Sequence, residues 1–227
     1  MRARRAPLRA ELLQAGHLLT PPNRNNPDAM PTLSIVYHTG SGNTGRAAHA
    51  LADGARDGAE VHLVELTPDQ ISGGRWHDEA VLAQLAASDA IAFGSPTYMG
   101  MVSGVFKLFA DATAPMWFDQ SWRDKIAGGF TSSGYPSGDK VSTLHYLATL
   151  AGQLRMVWVG PAAPASNLTQ DGLDLDRWGF YLGAGVVGQM RDGDATPSAG
   201  DLETCRRYGA RLALAARRWA AGAEAAG

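Results

Sequence analysis

Cysteine is nearly absent from this chain: Cys205 is the single one among 227 residues. That excludes an internal disulfide framework and fits a reducing, cytoplasmic setting. No CxxC pair or His/Cys cluster suggests a metal. Charge of one sign is lacking too, with 20 Lys+Arg against 22 Asp+Glu and a formal net charge of −2. Such a balance offers no field for grasping nucleic acid. No apolar run approaches the length that crosses a membrane. Nucleic acid and membrane are therefore set aside as partners. What is present, 45% hydrophobic and 19% charged residues, suits one globular α/β domain with a substantial core.

The first thirty residues differ from the rest. They carry Arg2, Arg4, Arg5, Arg9 and Arg24, two short leucine pairs, and a stretch from Pro21 to Pro27 rich in proline and asparagine. Residues 1–30 read as an arm, disordered or lying upstream of a natural start at Met30. The domain is expected over 31–222. Within it, short runs rich in valine and isoleucine alternate with longer amphipathic stretches, the pattern of a parallel sheet with helices on both faces. Strands are expected near 33–38, 60–66, 89–95, 125–131 and 155–160, and helices near 43–57, 78–87, 102–113, 139–153 and 199–221. Five strands suit a doubly wound sheet in the order 2-1-3-4-5. The last helix places Cys205, Tyr208, Leu212, Ala215 and Trp219 on one face as a packing stripe, which makes the thiol a core group. Residues 161–198, rich in glycine and proline, read as one long loop that covers a site or meets another subunit.

The first strand runs directly into His38-Thr-Gly-Ser-Gly-Asn-Thr-Gly45 and a helix pattern runs out of it. Glycines turn backbone N–H groups toward an anion, the helix N-terminus adds partial positive charge, and Thr39, Ser41, Asn43 and Thr44 add neutral donors. A phosphorylated ligand follows. The spacing Gly40-x-Gly42-x-x-Gly45 also fits a dinucleotide loop, with Glu65 placed where a ribose-binding acid belongs. A nucleoside-triphosphate loop is disfavoured, because Arg46 and Ala47 stand where lysine and a magnesium-binding hydroxyl are required.

In a doubly wound sheet ligands lie outside the carboxyl ends of the strands, where the strand order reverses. After the third strand comes Gly94-Ser-Pro-Thr-Tyr-Met-Gly100, in which Pro96 stiffens a turn that presents Thr97, Tyr98 and Met99. Tyr98 offers a ring or hydroxyl to a planar ligand. After the fourth strand comes Thr131-Ser-Ser-Gly-Tyr-Pro-Ser-Gly-Asp139, again small and rich in hydrogen-bonding groups.

On these three loops, together with Met101-Val-Ser-Gly104 and Lys125-Ile-Ala-Gly-Gly-Phe130, the chain resembles over about 33–220 the flavodoxin-like FMN proteins of the NAD(P)H:quinone oxidoreductase type. These include the tryptophan-repressor-binding-protein group and its NAD(P)H-dependent FMN-reductase relatives. The resemblance implies that Thr39, Gly40, Ser41, Gly42, Asn43 and Thr44 hold the FMN phosphate and that Pro96, Thr97, Tyr98 and Met99 border the isoalloxazine. Ser132, Ser133, Gly134, Tyr135 and Ser137 would pass along the ribityl chain and ring edge. Trp117 matches a tryptophan that lines the family's substrate pocket. NADH or NADPH would deliver hydride to the flavin and leave, and a quinone would then take two electrons at the same place, a ping-pong cycle in which no side chain is assigned as catalytic. Relatives are often dimers or tetramers that build the site across subunits.

The chain departs from that family before the fifth strand, where relatives often carry a pocket histidine and Gln153, or Leu154 with a one-residue slip, stands here. His145 is the one histidine of the preceding helix pattern. Three other readings stand beside the reductase. A single-electron carrier would usually present a strongly acidic docking face, which the balanced charge does not supply. A non-flavin dinucleotide reductase would want a tyrosine with a lysine four residues on, and Tyr135 is followed by Lys140 instead. An interaction module would have kept the fold without the cofactor.

Overall fold

Leu33, Ile35 and Tyr37 face one side of the first strand, β1 (Thr32–Tyr37), and Ser34 and Val36 face the other; these five are all buried. A strand buried on both faces belongs in the middle of a parallel sheet, where a run of apolar residues replaces alternation. The computed structural model describes residues 29–162, 172, 174–188 and 196–225, so the arm expected over 1–30 lies, as far as residue 28, outside the described residues. After β1 come α1 (Asn43–Ala55), β2 (Glu60–Glu65), a small hairpin of β3 (Ile71–Ser72) and β4 (Arg75–Trp76), and α2 (Glu79–Ala87). Then follow β5 (Ala90–Tyr98), β6 (Met101–Val102), α3 (Gly104–Ala112), α4 (Ala114–Asp119), β7 (Ile126–Ser133) and α5 (Lys140–Gln153). The chain ends with β8 (Val157–Trp158), β9 (Ala184–Val187) and α6 (Ala199–Ala225).

The sheet runs β2-β1-β5-β7-β8, all parallel, which is the expected doubly wound order with β5 and β7 as its third and fourth strands. Its reversal point lies between β1 and β5, so the crevice there opens at their carboxyl ends. One face packs Leu33, Ile35 and Tyr37 against Ala47 and Leu51 of α1 and Tyr208 and Leu212 of α6. The other packs Val36 and Phe93 with Phe106 and Phe109 of α3 and Leu144 and Leu147 of α5. The helices α1 and α6 approach backbone to backbone: a Cβ on Gly54 would stand 1.7 Å from the Arg206 carbonyl oxygen, and one on Gly209 1.9 Å from that of Leu51.

Three expectations need correction. The third strand continues through Thr97 and Tyr98, which pair with Val102 and Met101 of β6. The two residues between, Met99 (φ 49) and Gly100 (φ 80), both have positive φ, the two-residue hairpin turn whose twist suits its strands. The fifth strand is split: β8 pairs with Ile126 and Ala127, while β9 pairs with Phe130 to Ser133 higher on the same edge. Residues 161–198 are thus not one loop, because Ala184 to Val187 bury all four side chains in the sheet. Where the ladder is interrupted, the Gly129 N–H donates to the Tyr208 hydroxyl at 3.2 Å and that hydroxyl donates to the Val159 carbonyl. Finally, the packing stripe of α6 holds at Cys205, Tyr208 and Leu212 but fades at its end, where Ala215 is half-buried and Trp219 exposed, because the last turns run past the sheet.

Candidate cofactor site

The loop after β1 turns sharply at Gly42 (φ 85), which caps α1 and has no side chain to accept from the first-turn amides. The amides of Asn43 and Thr44 thus stand at the positive end of the helix dipole, where backbone can seat an anion. Side chains brace the seat from within. The Gly45 N–H donates to Thr39 Oγ1 at 3.2 Å and Asn43 Nδ2 donates to Ser41 Oγ at 3.1 Å. Asn43 and Thr44 are buried, while Gly40, Ser41 and Gly42 are exposed. Gly188, just past β9, packs so closely that a Cβ there would stand 2.1 Å from Asn43 Nδ2.

The three expected loops meet. Thr44 Oγ1 lies 2.8 Å from Ser132 Oγ, tying the first loop to the end of β7. Tyr98 reaches over from the hairpin, where a Cβ on Gly40 would be 2.0 Å from its hydroxyl. Thr97 Oγ1 is 2.8 Å from both Thr131 and Thr143, a buried hydroxyl chain linking β5, β7 and α5. Pro96 is buried beside Ser132, its partner across the ladder. Met99 stands fully exposed at the hairpin tip and Tyr135 is 75% exposed, so both project from the rims of the crevice. The Ser133 hydroxyl donates to the Tyr135 carbonyl at 3.2 Å, and Gly134 and Ser137 line the exposed turn.

His38 sits at the root of the first loop, its N–H donating to the Gly94 carbonyl at 3.0 Å. Its Nδ1 is buried with no hydrogen-bond partner among the described residues. Burial pushes its pKa down, partly opposed by Glu65. Glu65 itself accepts from the Tyr37 hydroxyl at 3.3 Å, and burial together with that carboxylate pushes Tyr37 up to about 12.

Other expected residues lie elsewhere. Trp117, on α4, is half exposed and borders a groove of about 220 Å³ with Asp111, Leu150, Gln153 and Leu154. Those residues end α3 and α5, which run antiparallel to the strands, so the groove lies at the edge where the strands begin, opposite the crevice. Trp117 and Gln153 are therefore brought together with each other but not with the three loops. His145 borders a separate groove of about 240 Å³ with Phe180, Tyr181 and Leu182.

Two contributors had escaped the sequence. Lys140, the first residue of α5, is wholly buried beneath the turn after β7, where burial pushes its pKa down to about 8 against the attraction of Asp201. Its signal was a lysine at a helix N-terminus, where the helix dipole disfavours a cation. The buried Asp201 carboxylate accepts from Arg177 Nε at 3.0 Å, Trp178 Nε1 at 3.0 Å and the Val187 N–H at 3.1 Å, and so fastens residues 177 and 178 to β9 and α6. No cluster of three or more His, Cys, Asp or Glu able to hold a metal occurs among the described residues. No described helix is long and apolar enough to cross a membrane.

Residues 36–170 match a family model described as NADPH-dependent FMN reductase. A Pseudomonas aeruginosa (strain UCBPP-PA14) protein named flavodoxin FldP is 41% identical over 181 residues, spanning 79% of this chain and 93% of that protein. An NAD(P)H dehydrogenase (quinone) of Archaeoglobus fulgidus is 30% identical over 204 residues, spanning 83% of this chain and 99% of that one. Among solved structures, the flavodoxin, WrbA-like protein from Agrobacterium tumefaciens superposes with a TM-score of 0.62 at 39% identity, covering 83% of this chain and 98% of that chain.

Proposed function

Because the chain belongs to the NADPH-dependent FMN reductase family, we propose that it binds FMN in the crevice at the carboxyl ends of β1, β5 and β7 and uses NAD(P)H to reduce a quinone-like acceptor. FMN there supplies the redox chemistry, accepting a hydride and passing on two electrons. The residues present fit that group. The glycine-capped amides of α1 and the hydroxyls of Thr39 and Ser41 suit a phosphate monoester without a lysine or a magnesium ligand. Gly40 has no Cβ where one would collide with Tyr98, so the loop and the tyrosine ring close on each other at the crevice mouth.

The observation that carries the reading is the Thr44 to Ser132 hydroxyl contact, which makes two of the three loops into one cradle. Within it Thr39 to Thr44 orient the phosphate end, Thr97 to Met99 form one wall and Ser132 to Ser137 the other. The work of these groups is to bind and to hold reactants in line, and the reading includes a ping-pong order in which donor and acceptor take turns at one face. The visible spectrum of the purified protein with added FMN, followed by anaerobic NADH or NADPH, tests this: bound flavin bleaches promptly with a nicotinamide. Absence of flavin binding would sink the reading.

The 41% identity to a protein named flavodoxin supports a second reading, a carrier fed by a partner protein. It predicts bound flavin that neither nicotinamide bleaches. Trp117, at the opposite edge of the sheet, can border an acceptor only in the site of a second copy. We therefore tie its pocket role to self-association as a dimer or tetramer. Gel filtration showing a monomer would remove that role.

A further inference from the structure

A lysine in the first turn of a helix normally extends into water, away from the positive end of the dipole. Lys140 does the opposite. Its side chain turns under the exposed turn after β7, where Nζ donates to the Tyr135 carbonyl and, at 3.2 Å, to the Pro136 carbonyl. Its stem lies against β9, a Cβ on Gly185 falling 3.2 Å from Lys140 Cδ, and the Phe180 ring centroid is 6.0 Å from Nζ. The carboxylate that attracts it, Asp201, is already bonded to Arg177, Trp178 and the Val187 N–H.

This cation is buried directly below a loop of the cradle, and its contacts shape that loop. In a trans peptide the carbonyl and the following N–H point opposite ways. With the Pro136 carbonyl drawn inward to Lys140, the Ser137 N–H is turned outward, away from the lysine. The far side of the turn is fixed as well, since Gly138 (φ 50) has no room for a Cβ, which would stand 2.1 Å from Ser133 Oγ.

We propose that Lys140 is a positioning residue for FMN: it holds the 134–138 turn in the shape that offers the Ser137 N–H to the cofactor, and its buried positive charge favours the reduced, more electron-rich flavin over the oxidised one. The assignment rests on the reading of the crevice as an FMN site. Charge in a poorly solvated place acts strongly on a neighbour that gains electrons, because little water intervenes to screen it.

The test measures the FMN dissociation constant and the two-electron midpoint potential of the loaded wild type and of Lys140→Gln, Lys140→Met and Lys140→Arg. Lys140→Gln keeps a donor for the turn and removes the charge. It is expected to bind oxidised FMN within a few-fold of wild type while losing about tenfold in preference for reduced flavin, a fall of about 30 mV for a two-electron couple. Lys140→Met is expected to weaken binding and lower the potential together, and Lys140→Arg to restore the potential. A mere prop under the turn would weaken both redox states equally and leave the potential where it was. An unchanged potential in folded Lys140→Gln therefore overturns the assignment even if Lys140→Met fails to fold. Wild type that binds no FMN would overturn the site reading itself, a result distinguishable because no variant is needed to see it.

Discussion

Thr44 Oγ1 and Ser132 Oγ stand 2.8 Å apart across 88 residues of sequence, both buried, and their contact makes the loop after β1 and the end of β7 a single wall. Replacing Thr44 with valine keeps the shape and leaves the Ser132 hydroxyl without this partner, at a cost of about 1–2 kcal/mol. FMN affinity, followed by quenching of flavin fluorescence, is expected to fall roughly tenfold. Ser132→Ala combined with Thr44→Val is expected to cost less than the two changes summed. Strict additivity would mean that the contact does not couple the loops.

The crossing of α1 and α6 has no room for even one methyl group at Gly54 or Gly209. Gly54→Ala puts a Cβ against backbone rather than against a side chain that can rotate away, so the helices must separate. Urea unfolding is expected to show a loss of about 2–3 kcal/mol despite the better helix propensity of alanine. A neutral or stabilising result would contradict the packing described.

Asp201→Ala is expected to cost about 2–3 kcal/mol, since the Val187 N–H and Trp178 Nε1 lose their acceptor in a buried place. Arg177, partly exposed, can return to water, so its loss adds little. Limited proteolysis should cut near residues 172–183 sooner in the variant than in wild type. Equal rates would show that the Asp201 contacts do not secure that stretch.

Lys125, nearly buried, donates to the carbonyls of Ala86 and Ser88, and burial pushes its pKa down to about 8. In the unfolded chain the lysine still holds its proton at pH 9, whereas the folded protein has largely released it. More protons on the unfolded state mean that stability rises with pH, by up to about 1 kcal/mol per group between pH 8 and 9. Lys140, also pushed down to about 8, acts in the same direction. The buried Cys205 thiol and the Tyr208 hydroxyl, both pushed up by burial, act with the opposite sign as the unfolded chain loses those protons, the thiol already between about pH 8 and 9, so they reduce the net rise but not the difference between wild type and Lys125→Met. Chemical denaturation at pH 8 and 9 is expected to show the rise in wild type and a smaller one in Lys125→Met. Identical slopes would discount Lys125.

The sheet was legible because Leu33 to Tyr37, Ala90 to Gly94 and Ile126 to Phe130 carry the apolar runs that burial on both faces demands. The crevice was legible because backbone seats leave a trace in small residues, and Thr39 to Thr44, Thr97 to Met99 and Ser132 to Ser137 meet at the expected strand ends. Less could be read where three-dimensional partners decide. Ala184 to Val187 is too short and too glycine-rich to announce a strand, and it is one because β7 offers an open edge. Trp117 looked like a pocket residue by resemblance, yet its position follows from the direction in which α3 and α4 run. In the sequence Lys140 stands out only for its spacing from Tyr135, and the fold shows it buried beneath a turn. Trp219 keeps the helical spacing of Cys205 and Tyr208, but spacing does not say where the sheet ends.

The split of the fifth strand carries one more consequence. The chain leaves the sheet after Val159 and rejoins it at Ala184, and both exits stand beside Gly129: Tyr208 links its N–H to Val159, and a Cβ on Gly183 would lie 2.2 Å from its carbonyl oxygen. The excursion between begins and ends at almost the same point, so its length is decoupled from the register of the strands on either side. Closing a longer detour costs only slowly growing entropy, about 0.6 kcal/mol for each doubling of loop length. The stretch between Val159 and Ala184 can thus vary in length without shifting the strands, provided Arg177 and Trp178 keep their hold on Asp201 and Phe180 its place beside Lys140.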